Sequence, residues 1–96
     1  MQFLALTKRR TDAFPPEAFT SELIEAEGQR VRELYTEGFI RSIWRRQDTP
    51  GAALLIEANS EEEVRAALAT LALAERGMLE LTLVTQLLPY PGFGPR

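Results

Sequence analysis

Two residue types are missing from this chain of 96 residues: it contains no cysteine and no histidine. Without cysteine, disulfides, thiolate metal sites and cysteine nucleophiles are excluded. Without histidine, the chain lacks the commonest general base and the commonest transition-metal ligand. We therefore expect no metal site, and any acid–base chemistry has to use Glu, Asp, Lys or Tyr side chains.

Long apolar runs and an excess of positive charge are also absent. No apolar run approaches the roughly 20 residues that a membrane-spanning helix needs. The short apolar start, Met1 to Leu6, precedes its basic residues, which is the reverse of a signal peptide. The formal net charge is −3 and the pI is about 5.0. These features predict a cytoplasmic protein whose partners are neither nucleic acid nor a membrane.

The basic residues are nevertheless clustered. One group is Lys8, Arg9 and Arg10, and a second consists of Arg41, Arg45 and Arg46. An acidic protein with a local arginine cluster suits a small anionic organic molecule better than a polyanion. Lysine and arginine also keep strand edges soluble, so an anion site and a solvated sheet edge are both compatible with the pattern.

The pattern of apolar residues predicts a single α+β domain over residues 1–96. Apolar residues recur at helical spacing between Pro16 and Glu37, and Gly38 ends that helix. Ser60 and Glu63 form a capping box for a second helical region that ends at Gly77. The predicted strands are Gln2–Lys8, Phe39–Gln47, Ala52–Ala58 and Met78–Leu88, with a turn at Asp48–Gly51 and an irregular tail over Pro89–Arg96.

This order, βαββαβ, predicts a ferredoxin-like fold with a four-stranded antiparallel sheet and both helices on one face. Leu79, Leu81 and Leu83 are expected to share one face of the last strand. The uncovered face of the sheet contains Ala, Leu, Val and Trp side chains and is too apolar to stay exposed. Two subunits that pair these faces would bury them, so we expect a homodimer.

Glu27 occupies a position of the first helix where the apolar spacing predicts leucine. On a helical wheel, at about 100° per residue, it falls within the arc of Phe19, Leu23, Val31 and Leu34. A buried carboxylate needs a partner, water or a raised pKa. Two interpretations follow: an ion pair between Glu27 and Arg30 at the end of the core, or a polar pocket, lined by Tyr35, in which Glu27 is a general base.

Residues 34–45 (LYTEGFIRSIWR) resemble the L-x-x-E-G-x-x-R-x-x-W-R segment of muconolactone isomerases. Glu27 falls where that family has a glutamate. Leu71-Ala72-Leu73 stands in for the family's LPL, and Leu88-Pro89 lies near its end-of-strand hP segment, so the resemblance covers most of the chain. Ser42 stands where the family tends to have a histidine. The family's histidine near the end of the last strand is also absent, with Tyr90 nearby.

The resemblance implies a dimeric α+β barrel, often assembled further into a decamer, that needs no cofactor. It also implies an isomerase that shifts a double bond in an unsaturated lactone carrying a carboxylate, by proton abstraction next to a carbonyl and reprotonation. Glu27 would be the base or proton shuttle, and Arg41 and Arg45 would hold the carboxylate from one face of the second strand. The residues predicted to bind substrate around Glu27 are Arg30, Tyr35, Arg41, Ser42, Trp44 and Arg45. By its spacing alone, Trp44 is more typical of a core or interface aromatic.

Two other functions are compatible with the same residues. One is a non-catalytic oligomeric protein that binds a small ligand or has an accessory role, as in the YciI-like proteins of the dimeric α+β barrel superfamily. The other is a purely structural oligomer in which Glu27 and Arg30 form a core salt bridge. A cavity that holds Glu27 together with an arginine favours an enzyme or a binding protein, and close packing favours the structural role.

Overall fold

Four strands form one antiparallel sheet, and helices cover one of its faces. The computed structural model describes residues 1–94. Its elements, in chain order, are β1 (Gln2–Arg9), a 3₁₀ turn (Pro16–Ala18), α1 (Ser21–Thr36), β2 (Ile40–Arg45), β3 (Ala52–Glu57), α2 (Glu61–Leu68), α3 (Ala72–Glu75) and β4 (Leu79–Leu87). The strands lie in the order β2-β3-β1-β4, with every neighbouring pair antiparallel. The predicted ferredoxin-like α+β fold is confirmed.

The core lies between the helices and the face of the sheet that carries Phe3, Ala5, Leu54 and Ile56. Along β1 and β3 these buried side chains alternate with more exposed ones, as the two-residue period of a strand requires. The helices contribute Leu34, Val64 and Leu68, and Leu71 follows α2. Burial of each leucine or isoleucine side chain stabilises the fold by about 1.5–3 kcal/mol, so this contact holds the helices on the sheet.

An extra residue interrupts the pairing of β4 with β1. Thr82 has no partner in the ladder, because Leu83 pairs with Leu6 and Leu81 pairs with the next residue of β1. The Thr82 hydroxyl instead donates to the Leu6 carbonyl oxygen at 3.1 Å. Side chains beyond such a bulge change faces. The prediction that Leu79, Leu81 and Leu83 share one face is therefore wrong for Leu83, which is 39% exposed on the uncovered face.

The N-termini of the two main helices are set by side-chain caps. α1 begins at Ser21 and not near Pro16, because the Thr20 hydroxyl accepts a hydrogen bond from the Leu23 N–H at 3.2 Å. At α2 the Ser60 hydroxyl accepts from the Glu63 N–H at 3.1 Å, as predicted. In a complete capping box the Glu63 carboxylate would also accept a hydrogen bond from the Ser60 N–H. Here it accepts one from the Asn59 side chain instead, at 3.4 Å.

The second helical region is interrupted, which the sequence analysis did not predict. α2 ends at Leu68, Leu71 has an extended backbone, and α3 begins at Ala72. The break exposes new backbone N–H groups at the start of α3, and these need partners from elsewhere in the molecule. Within residues 1–94, none of the helices is both long and apolar enough to cross a membrane.

The face of the sheet that the helices leave uncovered is apolar. According to the strand pairing it carries Leu4, Leu6, Trp44, Ala53, Leu55, Leu83 and Leu87. The irregular tail adds the exposed side chains of Tyr90 and Phe93. Residues 89–94 form no helix or strand, as predicted, and the rest of that prediction, Pro95 and Arg96, lies outside the described residues.

Candidate active site

A cleft of about 470 Å³ lies between α1 and the sheet, where β1 and β2 end and β3 and β4 begin. This volume is within the range of sites that bind small molecules. The lining residues are Thr7, Arg9, Glu27, Val31, Ile43, Trp44, Arg45, Arg46, Pro50, Gly51, Ala52 and Leu79. A polar pocket around Glu27 is therefore present, and close packing at this position is contradicted.

Glu27 extends from α1 to the wall of the cleft. Its Oε1 atom accepts a hydrogen bond from the backbone N–H of Leu73, in the first turn of α3, at 3.0 Å. The first N–H groups of a helix have no partner within it, and a carboxylate near them is favourable. The glutamate that replaces the expected leucine therefore stabilises the break between α2 and α3.

Burial raises the pKa of Glu27 above the ordinary value for glutamate. The hydrogen bond from Leu73, the positive charge of Arg9 and the backbone of Ala72 act in the opposite direction, but the removal from water prevails. A carboxyl group with a raised pKa is better matched to proton transfer near neutral pH than an exposed glutamate. Glu27 is therefore suited both to taking up and to releasing a proton in the cleft.

Arg9 and Arg45 are the cations of the cleft that have no side-chain partner in the part of the chain that the structure describes. Neither forms an ion pair or a side-chain hydrogen bond with any residue from 1 to 94. The Arg9 guanidinium lies 5.9 Å from the centre of the Phe19 ring, a cation–π contact that restrains it. Arg9 is two residues after the buried Thr7 in β1, so both side chains lie on the same face of the sheet. Arg45 pairs with Ala52 on that face. Both arginines are therefore on the helix-covered face.

Arg46 is held by the protein itself. Its guanidinium group donates to both carboxylate oxygens of Asp48, at 2.7 and 3.1 Å, and to the Thr7 carbonyl oxygen at 3.3 Å. The hydrogen bond between them lowers the pKa of Asp48 and raises that of Arg46, so both stay ionised. Arg46 therefore attaches the β2–β3 turn to the end of β1.

Arg30 and Tyr35, predicted to accompany Glu27, lie away from the cleft. Arg30 donates to the Thr70 hydroxyl at 2.9 Å and forms an ion pair with Glu33 at 3.0 Å. Tyr35 is 63% exposed. No ion pair joins Glu27 to Arg30 among residues 1–94. The interpretation of Glu27 as half of a core salt bridge is therefore wrong.

Arg41 and Ser42 are also outside the cleft, because β2 has a bulge at Arg41. The Arg41 Nε atom donates to the Gly38 carbonyl oxygen at 2.7 Å. Ser42 pairs with Leu55 on the uncovered face. The prediction that Arg41 and Arg45 share one face of β2 is wrong, since the bulge breaks the alternation and only Arg45 lines the cleft.

Trp44 borders both the cleft and the uncovered face. It contributes to the cleft wall, while its pairing with Ala53 places it on the side of the sheet opposite the helices. At 56% exposure it is not a core residue in a single subunit. It is therefore placed to contact either a ligand or a second subunit.

Arg9 was not among the predicted site residues, although the sequence pattern of β1 indicates which face of the sheet its side chain lies on. Residues 3, 5 and 7 of this strand are buried, so residue 9 is expected on the same face. The alternation does not show that this end of β1 lies beside Glu27, because that depends on how the strands and α1 are arranged.

The charged groups that line the cleft are one carboxyl group and three guanidinium groups. Within residues 1–94, no three acidic side chains come together in a group that can hold a metal ion. The chemistry available from the lining is therefore proton transfer by a carboxyl group next to cations that bind anions.

The chain matches one protein family over nearly its whole length. Residues 1–92 fit the family described as Muconolactone delta-isomerase. Among solved structures, the chain is similar to 5-chloro-2-hydroxyhydroquinone dehydrochlorinase (TftG) from Burkholderia phenoliruptrix AC1100, in complex with 2,5-dihydroxybenzoquinone. The TM-score is 0.64 at 21% identity, over 91% of this chain and 93% of that chain, which shows a common fold. Curated protein sequences yield no match. The extent of the family match settles the classification: the chain belongs to the muconolactone delta-isomerase family.

Proposed function

We propose that this protein is a cofactor-free isomerase that shifts a double bond, by proton transfer, in a small carbonyl compound carrying a carboxylate, such as an unsaturated lactone acid. Membership of the family supports the proposal. The observation that carries it is the cleft, where burial raises the pKa of Glu27 beside Arg9 and Arg45, which have no partner among residues 1–94. We expect the protein to act in the cytoplasm.

Glu27 is the base in the proposed reaction. In its ionised form it removes a proton from the carbon attached to the far end of the conjugated double bond or, in the reverse direction, from the carbon next to the carbonyl group. The electron pair of the C–H bond enters a dienolate, and the carbonyl oxygen takes up the negative charge. Protonated Glu27 then returns the proton to the other end of the dienolate, so the carbonyl is restored and the double bond has moved.

Arg45 is the group we assign to the substrate carboxylate, because a guanidinium group binds a carboxylate through two parallel hydrogen bonds. Ser42, at the family's histidine position, lies on the uncovered face and not in the cleft. The exchange of histidine for serine therefore removes no group from the cleft of one subunit. We assign the whole proton transfer to Glu27.

The proposal is tested by turnover of muconolactone and related unsaturated lactone acids, followed by ultraviolet absorbance. We expect Glu27→Gln to fold and to lose about 10²-fold or more in kcat, since the amide cannot accept the proton. Glu25→Gln is the matched control, because Glu25 is an exposed residue of the same helix, paired with Arg32 at 3.0 Å. It should retain wild-type turnover.

The outcomes separate the parts of the proposal. Turnover at the wild-type rate in Glu27→Gln would exclude Glu27 as the base. A wild-type protein that converts none of these compounds would contradict the isomerase itself.

A non-catalytic ligand-binding protein is the second candidate, and one observation favours it. The Glu27 carboxyl group accepts a hydrogen bond from Leu73 and so already has a structural use. A binding protein would retain the cleft and the two arginines without turning over its ligand. Saturable binding of a lactone acid without any change in its absorbance spectrum over hours would support this function over the first.

We also propose that the protein acts as a homodimer formed through the uncovered face of the sheet, and that further assembly, as in the family's decamers, uses other surfaces. The apolar residues on that face include Leu55, Leu83 and Trp44, which a single subunit leaves partly or largely exposed. Contiguous exposed apolar surface of this kind marks an interaction site in a soluble protein. Because the face is the same on every chain, a two-fold symmetric dimer buries both copies.

A further inference from the structure

The two arginines that have no side-chain partner among residues 1–94 lie on either side of the central strand β3. Arg9 ends β1, Arg45 ends β2, and β3 lies between these strands. Neighbouring strands are about 4.8 Å apart, so the two arginine backbones are separated by roughly 10 Å. Gly51 and Ala52 occupy the space between them. Because glycine has no side chain and that of alanine is a single methyl group, the floor of the cleft stays open between the two guanidinium groups.

The charges of the cleft do not cancel. Asp48 neutralises Arg46 through two hydrogen bonds, which leaves Arg9, Arg45 and Glu27 as the uncompensated groups. The net charge of these three is +1 with Glu27 ionised and +2 with Glu27 protonated. A monoanion therefore leaves positive charge uncompensated when Glu27 is protonated, whereas a dianion neutralises it.

The positions of the two arginines differ with respect to the base. Arg9 ends β1, a central strand of the sheet, whereas Arg45 ends β2, which is an edge strand. We therefore assign the negative charge that forms next to Glu27 during proton transfer to Arg9, whose positive charge also acts to lower the pKa of Glu27. The substrate carboxylate does not react, and we assign its binding to Arg45.

We propose that the cleft binds two negative charges at once, one at Arg45 and one at Arg9. On the basis of the proposed function, the second charge is that of the enolate oxygen, so the dianionic intermediate is bound more tightly than the monoanionic substrate. Arg9 is then a catalytic residue. For ligands that do not react, the same arrangement predicts a preference for small dicarboxylates over monocarboxylates of the same shape.

The experiment is isothermal titration calorimetry of the full chain with straight-chain dicarboxylates of four to seven carbons and with their monomethyl esters. Each ester keeps the carbon chain of its diacid, adds one methyl group and has one charge fewer. We expect the best diacid to bind at least about tenfold more tightly than its ester. The ester should bind mainly through a single arginine.

The variants are Arg9→Met, Arg45→Met and Arg9→Lys, and Arg32→Met is the control. Either methionine variant in the cleft should reduce the preference to about twofold or less, while Arg9→Lys, which keeps the positive charge, should retain more of it than Arg9→Met does. Arg32→Met removes the same charge from an exposed ion pair on α1 and should preserve the preference. Equal affinity for diacid and ester in the wild type, or an unchanged preference in Arg9→Met, would overturn the proposal.

This result is independent of turnover. A protein that prefers diacids but isomerises no lactone acid would support the two-charge site and contradict the proposed reaction. A protein that isomerises a lactone acid but does not distinguish diacid from ester would contradict the two-charge site alone. With turnover present, Arg9→Met should lower kcat more than it raises KM, and the reverse is expected of Arg45→Met.

Discussion

The Glu27 carboxyl group lies on the wall of the cleft and accepts a hydrogen bond from the Leu73 N–H. The helical pattern of α1 identifies this residue from the sequence, because a carboxylate on an apolar arc is costly unless something compensates it. The pattern also suggests Arg30 as the compensating group, since it is three residues away. In the folded chain the compensation comes instead from a backbone N–H of another helix, which helical spacing cannot show.

The raised pKa of Glu27 predicts a pH-dependent contribution to stability. Because the folded-state pKa exceeds the ordinary value of 4.5, the folded protein binds this proton more tightly than the unfolded chain does. The contribution is fully present below the unfolded pKa and is lost as the pH rises through the folded value. Glu27→Gln has no such proton. Its free energy of unfolding, relative to the wild type, should therefore increase as the pH rises from about 4 to about 8.

Urea denaturation of the wild type and Glu27→Gln at a series of pH values measures the difference between their free energies of unfolding. The contributions of most other titrating groups are the same in both proteins and cancel in this difference. The Leu73 N–H and Arg9 lower the pKa of Glu27 and so oppose the effect of burial. They therefore limit how far the pH at which the stability difference changes lies above the pKa of an exposed glutamate. Glu25→Gln, at an exposed site of α1, is the control for the loss of a carboxylate outside the cleft. A difference that decreases with rising pH would mean that the charged form of Glu27 is the one the fold stabilises.

The elements were predictable to the extent that they depend on periodicity and on strong end signals. Gly38, with a φ of 83°, ends α1 as glycine is expected to do. The break after α2 has no such signal, since residues 69–72 (ATLA) include neither glycine nor proline. Ala72 corresponds to the proline of the family's LPL, and proline is favoured at the first position of a helix. Only that resemblance hints at α3.

The bulges are the second feature that alternation cannot reveal. One extra residue at Arg41 and another at Thr82 shift the side chains beyond them to the other face. These two positions explain why the sequence predicts that Arg41 shares a face with Arg45 and that Leu83 shares a face with Leu81. Both errors follow from one rule, the two-residue period of a strand, applied across a point where the pairing slips.

Gly51 in the β2–β3 turn provides a test at the level of the elements. A Cβ atom there would overlap the backbone carbonyl of Thr7, which is also bonded by Arg46. We expect Gly51→Ala to lower the free energy of unfolding by about 2 kcal/mol or more, since backbone atoms must move to accommodate it. It should also weaken ligand binding, because Gly51 lines the cleft. Urea denaturation measures the first effect.

Gly28→Ala is the matched control for this substitution. At Gly28 a Cβ atom would meet only the movable end of the Arg32 side chain, at 3.3 Å. Within a helix, alanine is favoured over glycine by roughly 0.5–1 kcal/mol. This variant should therefore be more stable than the wild type. Equal stability of the two alanine variants would show that the turn does not pack closely on β1.

For the molecule as a whole, the fold was predictable because it needs only the order of elements, while the site needs their arrangement in space. Arg9 and Arg45 are far apart in sequence. They lie at the same end of the sheet because β1 and β2 both pair antiparallel with β3. No local pattern in either strand contains that information. Because the helices pack on one side of the sheet, its other face has no helices. The exposed apolar side chains on that face are the basis of the proposed dimer.

The dimer is tested by the mass in solution. We expect a native mass of at least twice the 10.8 kDa of one chain at micromolar concentration. Leu83→Arg should reduce it toward one chain, because an arginine within an apolar interface loses its hydration without a partner. Tyr35→Arg introduces the same charge at a 63% exposed position of α1 and should leave the mass at two chains or more. Light scattering after size-exclusion chromatography measures all three masses.

Trp44 gives an independent signal for the same equilibrium, because it is the single tryptophan of the chain and lies on the uncovered face. Its 56% exposure in one subunit predicts an emission maximum near that of solvated tryptophan, and association should shift the maximum to shorter wavelength. The shift should disappear in Leu83→Arg and on dilution, at the concentration where the mass decreases. A wild-type protein that is strictly monomeric at micromolar concentration would contradict pairing through this face. The apolar face would then need another partner, because a soluble monomer rarely exposes so much contiguous apolar surface.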